Sequence, residues 1–373
     1  EALLGDDHDL ALLHAAESST VANTEVSQRA LLGASLASPH LERHLHGFPG
    51  QVRGVAIAGD RVVAAGLGGT LRAWSSSTGE PEWTVEGAGP SILSLDVDQD
   101  GSRIVAGDTG GSLFVLDGAT GERLNGVPAH AGETDWVEFA PDDGRILSTG
   151  TDGAVRVWNG ESLAQDASIA EGTTGVAQAR WHPDGTHVAI VDHEGVEMRE
   201  TGGEEGRVRL RQPNARSIAW SADGEQLIVG GEDGSLTRID VGTDDLERGW
   251  QISAHDGPVT GVEVVDGTIL TSGTDRTVAA WSLDTGSSRG DRWIGHQDRI
   301  LALAATDGAV VTGDVDGSVA LWDTAEDAGI WSDVPEHLGA SHVTMDATSP
   351  RSAAATGAVS YTHLTLPTTL PRC

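Results

Sequence analysis

The sequence of 373 residues contains no lysine, so all 23 basic side chains are arginines. Chemistry that needs an ammonium group has no donor here, which excludes a Walker phosphate loop, a Schiff-base lysine and a kinase ion-pair lysine from this stretch of chain. Cysteine is almost as scarce, since Cys373 is the only one and is the last residue. There is accordingly no internal disulfide, no cysteine-based zinc site and no thiol nucleophile with a fold around it. No apolar run approaches the roughly 18 residues of a membrane-spanning helix. Positive charge is in deficit, with 23 basic against 57 acidic side chains, a formal charge of −34 and a pI near 4.5. Such a chain is repelled by a nucleic-acid backbone or an anionic membrane, and neither is expected as a partner.

Glycine is in excess, with 50 residues. From about residue 40 the glycines sit in Asp-Gly and Gly-Gly turns between short β-branched strands, a pattern that predicts an all-β fold. The segments Leu71-Arg72-Ala73-Trp74, Leu113-Phe114-Val115-Leu116, Val155-Arg156-Val157-Trp158, Leu236-Thr237-Arg238-Ile239, Val278-Ala279-Ala280-Trp281 and Val319-Ala320-Leu321-Trp322 recur at steps of 42, 42, 81, 42 and 41 residues. The long step passes over a worn copy at Val196 to Met198, so there are seven units of about 42 residues, the length of a four-stranded propeller blade. Hairpin glycines at Gly101, Gly144, Gly185, Gly224, Gly267 and Gly308 keep the same beat. Histidines at 130, 255, 296 and 337 open units, the last of them an eighth.

These residues resemble the WD-repeat propeller family over about 40 to 358. The resemblance is strongest from Gly295-His296 to Leu321-Trp322-Asp323 and from Ala254-His255 to Ala280-Trp281-Ser282. It implies an all-β, seven-bladed propeller over 40–335, or an eight-bladed one if the further blade begun at 336–358 joins the ring. It implies that Leu41 to Leu45 supplies a strand that clasps the ring shut. It also implies that His130, Thr149, Asp152 and Trp158 converge, as do His255, Ser272, Asp275 and Trp281, and His296, Thr312, Asp316 and Trp322. Each set would run as a buried network from indole through hydroxyl and imidazole to carboxylate, a structural device although its groups resemble a catalytic triad. Units opened by Gly47-Phe48 and Gly87-Ala88, and the fourth and fifth units, lack the histidine and are expected to close less tightly. The family's partner face carries the openers and the Asp turns, which nominates Arg53, Glu133, Asp135, Asp256, Gln297 and Arg299.

Three other patterns carry less. Gly286-Ser287-Ser288-Arg289-Gly290 fits a hydrolase elbow, but no helix follows it and it reads as a surface loop. Asp96, Asp98 and Asp100 begin like a calcium loop whose twelfth position is Gly107 instead of Glu, and they read as a solvated turn. Ser77-Thr78-Gly79-Glu80 with Trp83, and Ala119-Thr120-Gly121-Glu122, resemble repeats of quinoprotein-type propellers. They support an alternative reading as a quinoprotein-like or hydrolytic enzyme with a central-channel site, for which the repeats share no convergent channel residues. No catalytic residue, cofactor or metal is expected.

At the N-terminal end, Leu10, Leu12, Leu13 and Ala16, then Val26, Ala30, Leu31 and Leu36, give two apolar stripes at helical spacing, and 1–39 reads as a helical linker. With Pro39-His40-Leu41 this stretch looks like the joint between a bacterial STAND-type signalling NTPase and its WD-repeat sensor. That resemblance implies ATP binding upstream of Glu1, a partner that is a protein or the NTPase of the same chain, and a cytoplasmic location. Val359 to Cys373 resembles a translated sequencing adaptor and is set aside. The function expected is a non-enzymatic protein-interaction or ligand-sensing scaffold.

Overall fold

A computed structural model describes residue 38 and residues 40–324, apart from 142–143, 174, 193, 203–207 and 243–244. The expected helical linker apart from Ser38, the further blade at 336–358 and the tail at 359–373 lie outside the described residues.

Seven four-stranded antiparallel sheets stand around one axis. Six are simple meanders of consecutive strands. The seventh is completed by Leu41–Leu45, which pairs with Val319–Asp323, Arg43 facing Leu321 and Leu45 facing Val319. The start of the ring is thereby hydrogen-bonded to its end. Sequence pattern explains the radial order within a blade. Second strands such as Ile146–Gly150 (ILSTG) and Arg103–Asp108 (RIVAGD) are covered on both faces by neighbouring blades, and they read as nearly continuous runs of small and apolar residues. Outer strands such as Pro81–Val85 (PEWTV) and Arg123–Pro128 (RLNGVP) meet solvent and carry polar residues.

The core is divided into seven apolar layers, one between each pair of adjacent blades. The layer joining the last blade to the first contains Leu45, Val311 and Leu321 against Val52, Val55 and Trp74. With that layer in place, the seventh blade packs directly on the first and the ring closes at seven.

The innermost strands are Val52–Ala58, Ile92–Val97, Thr134–Phe139, Gln178–Trp181, Ala215–Trp220, Val259–Val265 and Ile300–Thr306. Six of them slip register one residue after their start, between Val52 and Gly54, Ile92 and Ser94, Thr134 and Trp136, Ala215 and Ser217, Val259 and Gly261, and Ile300 and Ala302. A bulge of this kind leaves one residue unpaired and turns its side chain out of the ladder. The residues so placed are Arg53, Leu93, Asp135, Arg216, Thr260 and Leu301, all at the same end of the ring.

Candidate functional site

That end is a charged rim. Arg53 is exposed, and Arg216, Asp135 and Glu133 are close enough to act on its charge. Desolvation and then the Arg216 charge lower the Arg53 pKa, while Asp135 and Glu133 oppose them. Burial, then the neighbouring Glu133, raise Asp135 to about 6. Arg216 is ion-paired with Glu232. Of the nominated partner-face residues, Arg53, Glu133, Asp256, Gln297 and Arg299 are exposed and Asp135 is half-buried. The structure brings Arg53, Glu133 and Asp135 into one electrostatic cluster at the channel mouth. Arg299 is placed beside Asp298 at 3.6 Å.

Below the rim lies a feature that sequence reasoning missed. Asp96, Glu138, Arg180 and Glu263 occupy one register of four innermost strands, opposite Val105, Leu147, Ala189 and Leu270. In the other three blades that register holds Ala56, Ala219 and Ala304. Arg180 donates to Glu263 at 2.5 Å across the intervening blade, lies 3.6 Å from Glu138, and has its guanidinium 5.1 Å from the Trp136 ring centroid. Asp96 accepts from the Phe139 N–H and Glu138 from the Trp181 N–H, both at 2.8 Å, so each carboxylate staples its blade to the next. One guanidinium cannot neutralise three carboxylates. Burial pushes Glu138 up to about 8 and Asp96 to about 6, whereas the carboxylates around Arg180 hold its proton more firmly than usual against the cost of burial. The 42-residue spacing of Asp96, Glu138 and Arg180 was a visible signal. The expectation that no channel residues converge is corrected by these four, although the space they leave is only about 60 Å³. That is room for a water or two, not for an organic substrate.

The triad-like sets also assemble, with three corrections. In blade three the Trp158 indole donates to Ser148 Oγ at 2.8 Å, Ser148 meets His130 Nε2 at 2.8 Å, and His130 Nδ1 meets Asp152 at 2.8 Å. In blade six Trp281 donates to Thr271 at 2.9 Å, Thr271 meets His255 Nε2 at 2.8 Å, and His255 Nδ1 meets Asp275 at 2.9 Å. In blade seven the chain is Trp322, Thr312, His296 and Asp314, with contacts of 2.7, 2.6 and 2.6 Å. Thr149, Ser272 and Asp316, the members expected, are replaced by Ser148, Thr271 and Asp314. The first two errors are of parity. Trp158 pairs with Ile146 and Trp281 with Ile269, so their faces carry residues 148 and 271, while 149 and 272 point the other way. A separation of ten residues between hydroxyl and indole, common to all three blades, is the signal that would have found them.

The third error comes from a glycine position. Two residues past the hydroxyl lie Gly150 and Gly273, where a Cβ would collide with the imidazole of His130 or His255. Those gaps let the histidine reach the turn carboxylate. In blade seven the equivalent residue is Asp314, which takes the imidazole itself and accepts from Asp316 and Ser318 N–H. Burial lowers His296 to about 4 and raises Asp314, while Asp316 is raised to about 6 chiefly by its hydrogen bond with Asp314. In blade three, by contrast, four hydrogen bonds hold Asp152 well below the usual carboxylate range against its burial.

The remaining motifs do not form sites. Ser288 spends its hydroxyl on the Gly290 carbonyl. Asp98 pairs with Arg103 at 2.8 Å and Asp100 accepts from Ser102 N–H, while Asp96 faces the channel. Trp83 does dock, its indole donating to Gly118 O of the next blade, and Trp250 docks in the same way on Leu283 O, a second copy that the sequence spacing hid. A larger cavity, about 590 Å³, lies between blades six and seven at the end remote from the rim, where His40 stacks on Trp293 at 4.4 Å.

The WD domain, G-beta repeat family matches residues 121–159 and 208–237, which fall on blade three with the strand before it and on the fourth and fifth blades. The crystal structure of the WD40 beta propeller domain of Doa1 superimposes with a TM-score of 0.67 at 19% identity, over 79% of this chain and 98% of that one. By fold, the chain is a seven-bladed β-propeller. Among curated proteins it is similar to telomerase protein component 1 of Rattus norvegicus, 26% identical over 199 residues, and to the WD repeat-containing protein WDS homolog of Arabidopsis thaliana, 23% identical over 143. The matches cover 52% and 36% of this chain but only 8% and 27% of those proteins. The chain thus spans only a small part of each relative's length.

Proposed function

We propose that this propeller is a non-enzymatic interaction scaffold whose protein partner docks on the rim around Arg53, Glu133, Asp135 and Arg216. The observation that carries this reading is the contrast between enclosed and outward-facing polar groups. All three triad-like sets are closed on themselves by indoles, whereas the bulges turn six side chains of varied chemistry toward the channel mouth. A rigid ring presenting variable side chains at one end is suited to holding a partner. The test is crosslinking in the source cells, followed by binding of the recovered partner to variants. Arg53→Glu combined with Glu133→Arg is expected to abolish binding, and Asp307→Arg at the opposite end to leave it unchanged. Equal binding by both variants sinks the rim.

The sensor arm of a larger signalling NTPase is the more specific form of this proposal. It is supported by the helical pattern before residue 40 and by the clasp. Anything attached ahead of Leu41 is joined to a strand hydrogen-bonded to the last blade, so movement upstream and the integrity of the ring are mechanically linked. Reading the gene through both ends decides it, because the proposal requires a phosphate-loop motif upstream of Glu1.

A further inference from the structure

The hairpin that joins the first two strands of blade four reads Trp181-His182-Pro183-Asp184-Gly185-Thr186-His187, at the end of the ring remote from the rim. His182, Asp184 and His187 each turn one ligand-type atom into a common space, all within 4.8 Å of one another. His182 Nδ1 lies 3.0 Å and His187 Nδ1 2.8 Å from the same carboxylate oxygen, Asp184 Oδ2. We propose that these three side chains form a binding site for a divalent d-block cation of the Zn²⁺ class, with His182 Nδ1, His187 Nδ1 and Asp184 Oδ2 as ligands.

Hydrogen-bond roles carry the argument. His182 Nε2 is 3.1 Å from Gly224 O in blade five, and a carbonyl can only accept, so the proton sits on Nε2. Nδ1 accepts from the Asp184 N–H at 3.1 Å, so it carries no proton, and its single lone pair would turn from that N–H to the ion. Nδ1 and Asp184 Oδ2 thus stand 3.0 Å apart with no proton between them, a separation a bridging cation relieves, and the hydrogen bond between His187 Nδ1 and the same oxygen is the one the ion would replace. The outer partner is also the one a metal-bound histidine ordinarily has, a carbonyl that fixes the tautomer and orients the ring. Its position is built by the neighbouring blade. Gly224 has φ +75°, a Cβ there would collide with His182 Nε2, and Trp220 packs edge-on at 4.7 Å.

Asp184 is divided in the same sense. Oδ1 accepts the N–H groups of Thr186 at 2.7 Å and His187 at 3.1 Å, leaving Oδ2 for the shared space. Ligand atoms about 2.0–2.1 Å from a tetrahedral zinc stand about 3.3 Å apart, so the observed separations need to open by only a few tenths of an ångström. Two side groups must accommodate the ion. Thr186 Oγ1, 3.0 Å from His187 Nδ1, turns away, and Arg145 is held on the Gly185 carbonyl. His187 and Asp184 are partly exposed, which leaves the remaining coordination position to solvent or to a donor from a partner.

Equilibrium titration of the whole chain with Zn²⁺, and with Co²⁺ read by its visible absorption, tests the site. One equivalent is expected to bind with the intense bands of a four-coordinate ion, and Zn²⁺ is expected to raise the Tm. His187→Ala and Asp184→Asn, both surface changes, are expected to weaken binding by more than the roughly 10–100-fold that loss of an outer partner alone produces. His46→Ala, an exposed histidine elsewhere, serves as the control and keeps full affinity. The proposal is overturned if the wild type takes up no stoichiometric ion, if His187→Ala binds as the wild type does, or if His46→Ala loses as much as His187→Ala.

Discussion

Blades three, six and seven carry the indole–hydroxyl–imidazole–carboxylate chain, and blades one, two, four and five do not. The difference starts at the hydroxyl position. Where Ser148, Thr271 and Thr312 stand in the first group, the second has Ala64, Ala106, Ile190 and Val229, all at most 3% exposed. Where the imidazole stands, blade one has Phe48, tilted on Trp74 at 6.4 Å much as His296 is tilted on Trp322 at 5.9 Å. Trp74 keeps its indole but, lacking a hydroxyl neighbour, donates to His46 O. A buried network that is partly satisfied is worse than an apolar core, so a member left behind, as Trp74 is, takes another partner. Blade two instead buries Asp108 on the Ser112 N–H, blade four buries Asp192 against Arg209, and blade five buries Gln212 against Thr237. The hydroxyl positions of the blades without the histidine are as buried as those with it.

The channel departs from the same rule, because its three carboxylates share one cation. The largest expected effect of substitution follows there. Arg180→Met leaves Glu263 as an uncompensated charge and is expected to cost about 3–5 kcal/mol in urea unfolding, whereas replacing Arg180 and Glu263 together by apolar residues recovers most of the loss. A double variant as unstable as the single one would mean that packing on Trp136, not charge, is what Arg180 contributes. Next comes Thr312→Val, which is nearly isosteric but orphans both His296 Nε2 and Trp322 Nε1. At about 1–3 kcal/mol per unsatisfied buried group it is expected to cost roughly 2–5 kcal/mol.

The two regions also respond oppositely to pH. His296 is held near 4, so below its unfolded value of 6.5 the unfolded chain takes up a proton that the native blade refuses, and stability falls as pH drops toward 4. Glu138 is held near 8, so above its unfolded value of 4.5 the native channel keeps a proton the unfolded chain has released, and stability falls as pH rises toward 8. Glu138→Gln is expected to match the wild type near pH 4.5 and to gain on the order of 1–3 kcal/mol relative to it by pH 8. Parallel stability curves for the two proteins over that range would remove the channel from the account.

Much of this was legible in the sequence because blades repeat. A period of about 42 residues predicted the ring, and the family resemblance implied the clasp at Leu41 to Leu45 and the histidine, carboxylate and indole of two networks. What was not legible depended on parity and on what a repeat omits. A one-residue choice between Ser148 and Thr149, or Thr271 and Ser272, is invisible to a period of 42 but decisive for a strand whose faces alternate every residue. The channel cluster was hidden for a related reason. Asp96, Glu138, Arg180 and Glu263 share a register but not a residue type, and a search for repeated identities passes over them. The metal-type hairpin of blade four was hidden because it occurs once.

The smallest effect sharpens the comparison most. Thr149 is fully buried, and its hydroxyl has no hydrogen-bond partner among the described residues. It sits next to Ser148, whose hydroxyl has two. Thr149→Val removes a polar group that is already unsatisfied and keeps the β-branched shape, so it is expected to be neutral or stabilising by up to about 1 kcal/mol. Ser148→Ala, one residue away and equally buried, removes the shared link between His130 and Trp158 and is expected to cost about 2–4 kcal/mol. Measured side by side in urea, the pair separates burial from connectivity. If Thr149→Val proves as damaging as Ser148→Ala, the hydroxyl that matters has been placed on the wrong face of the strand.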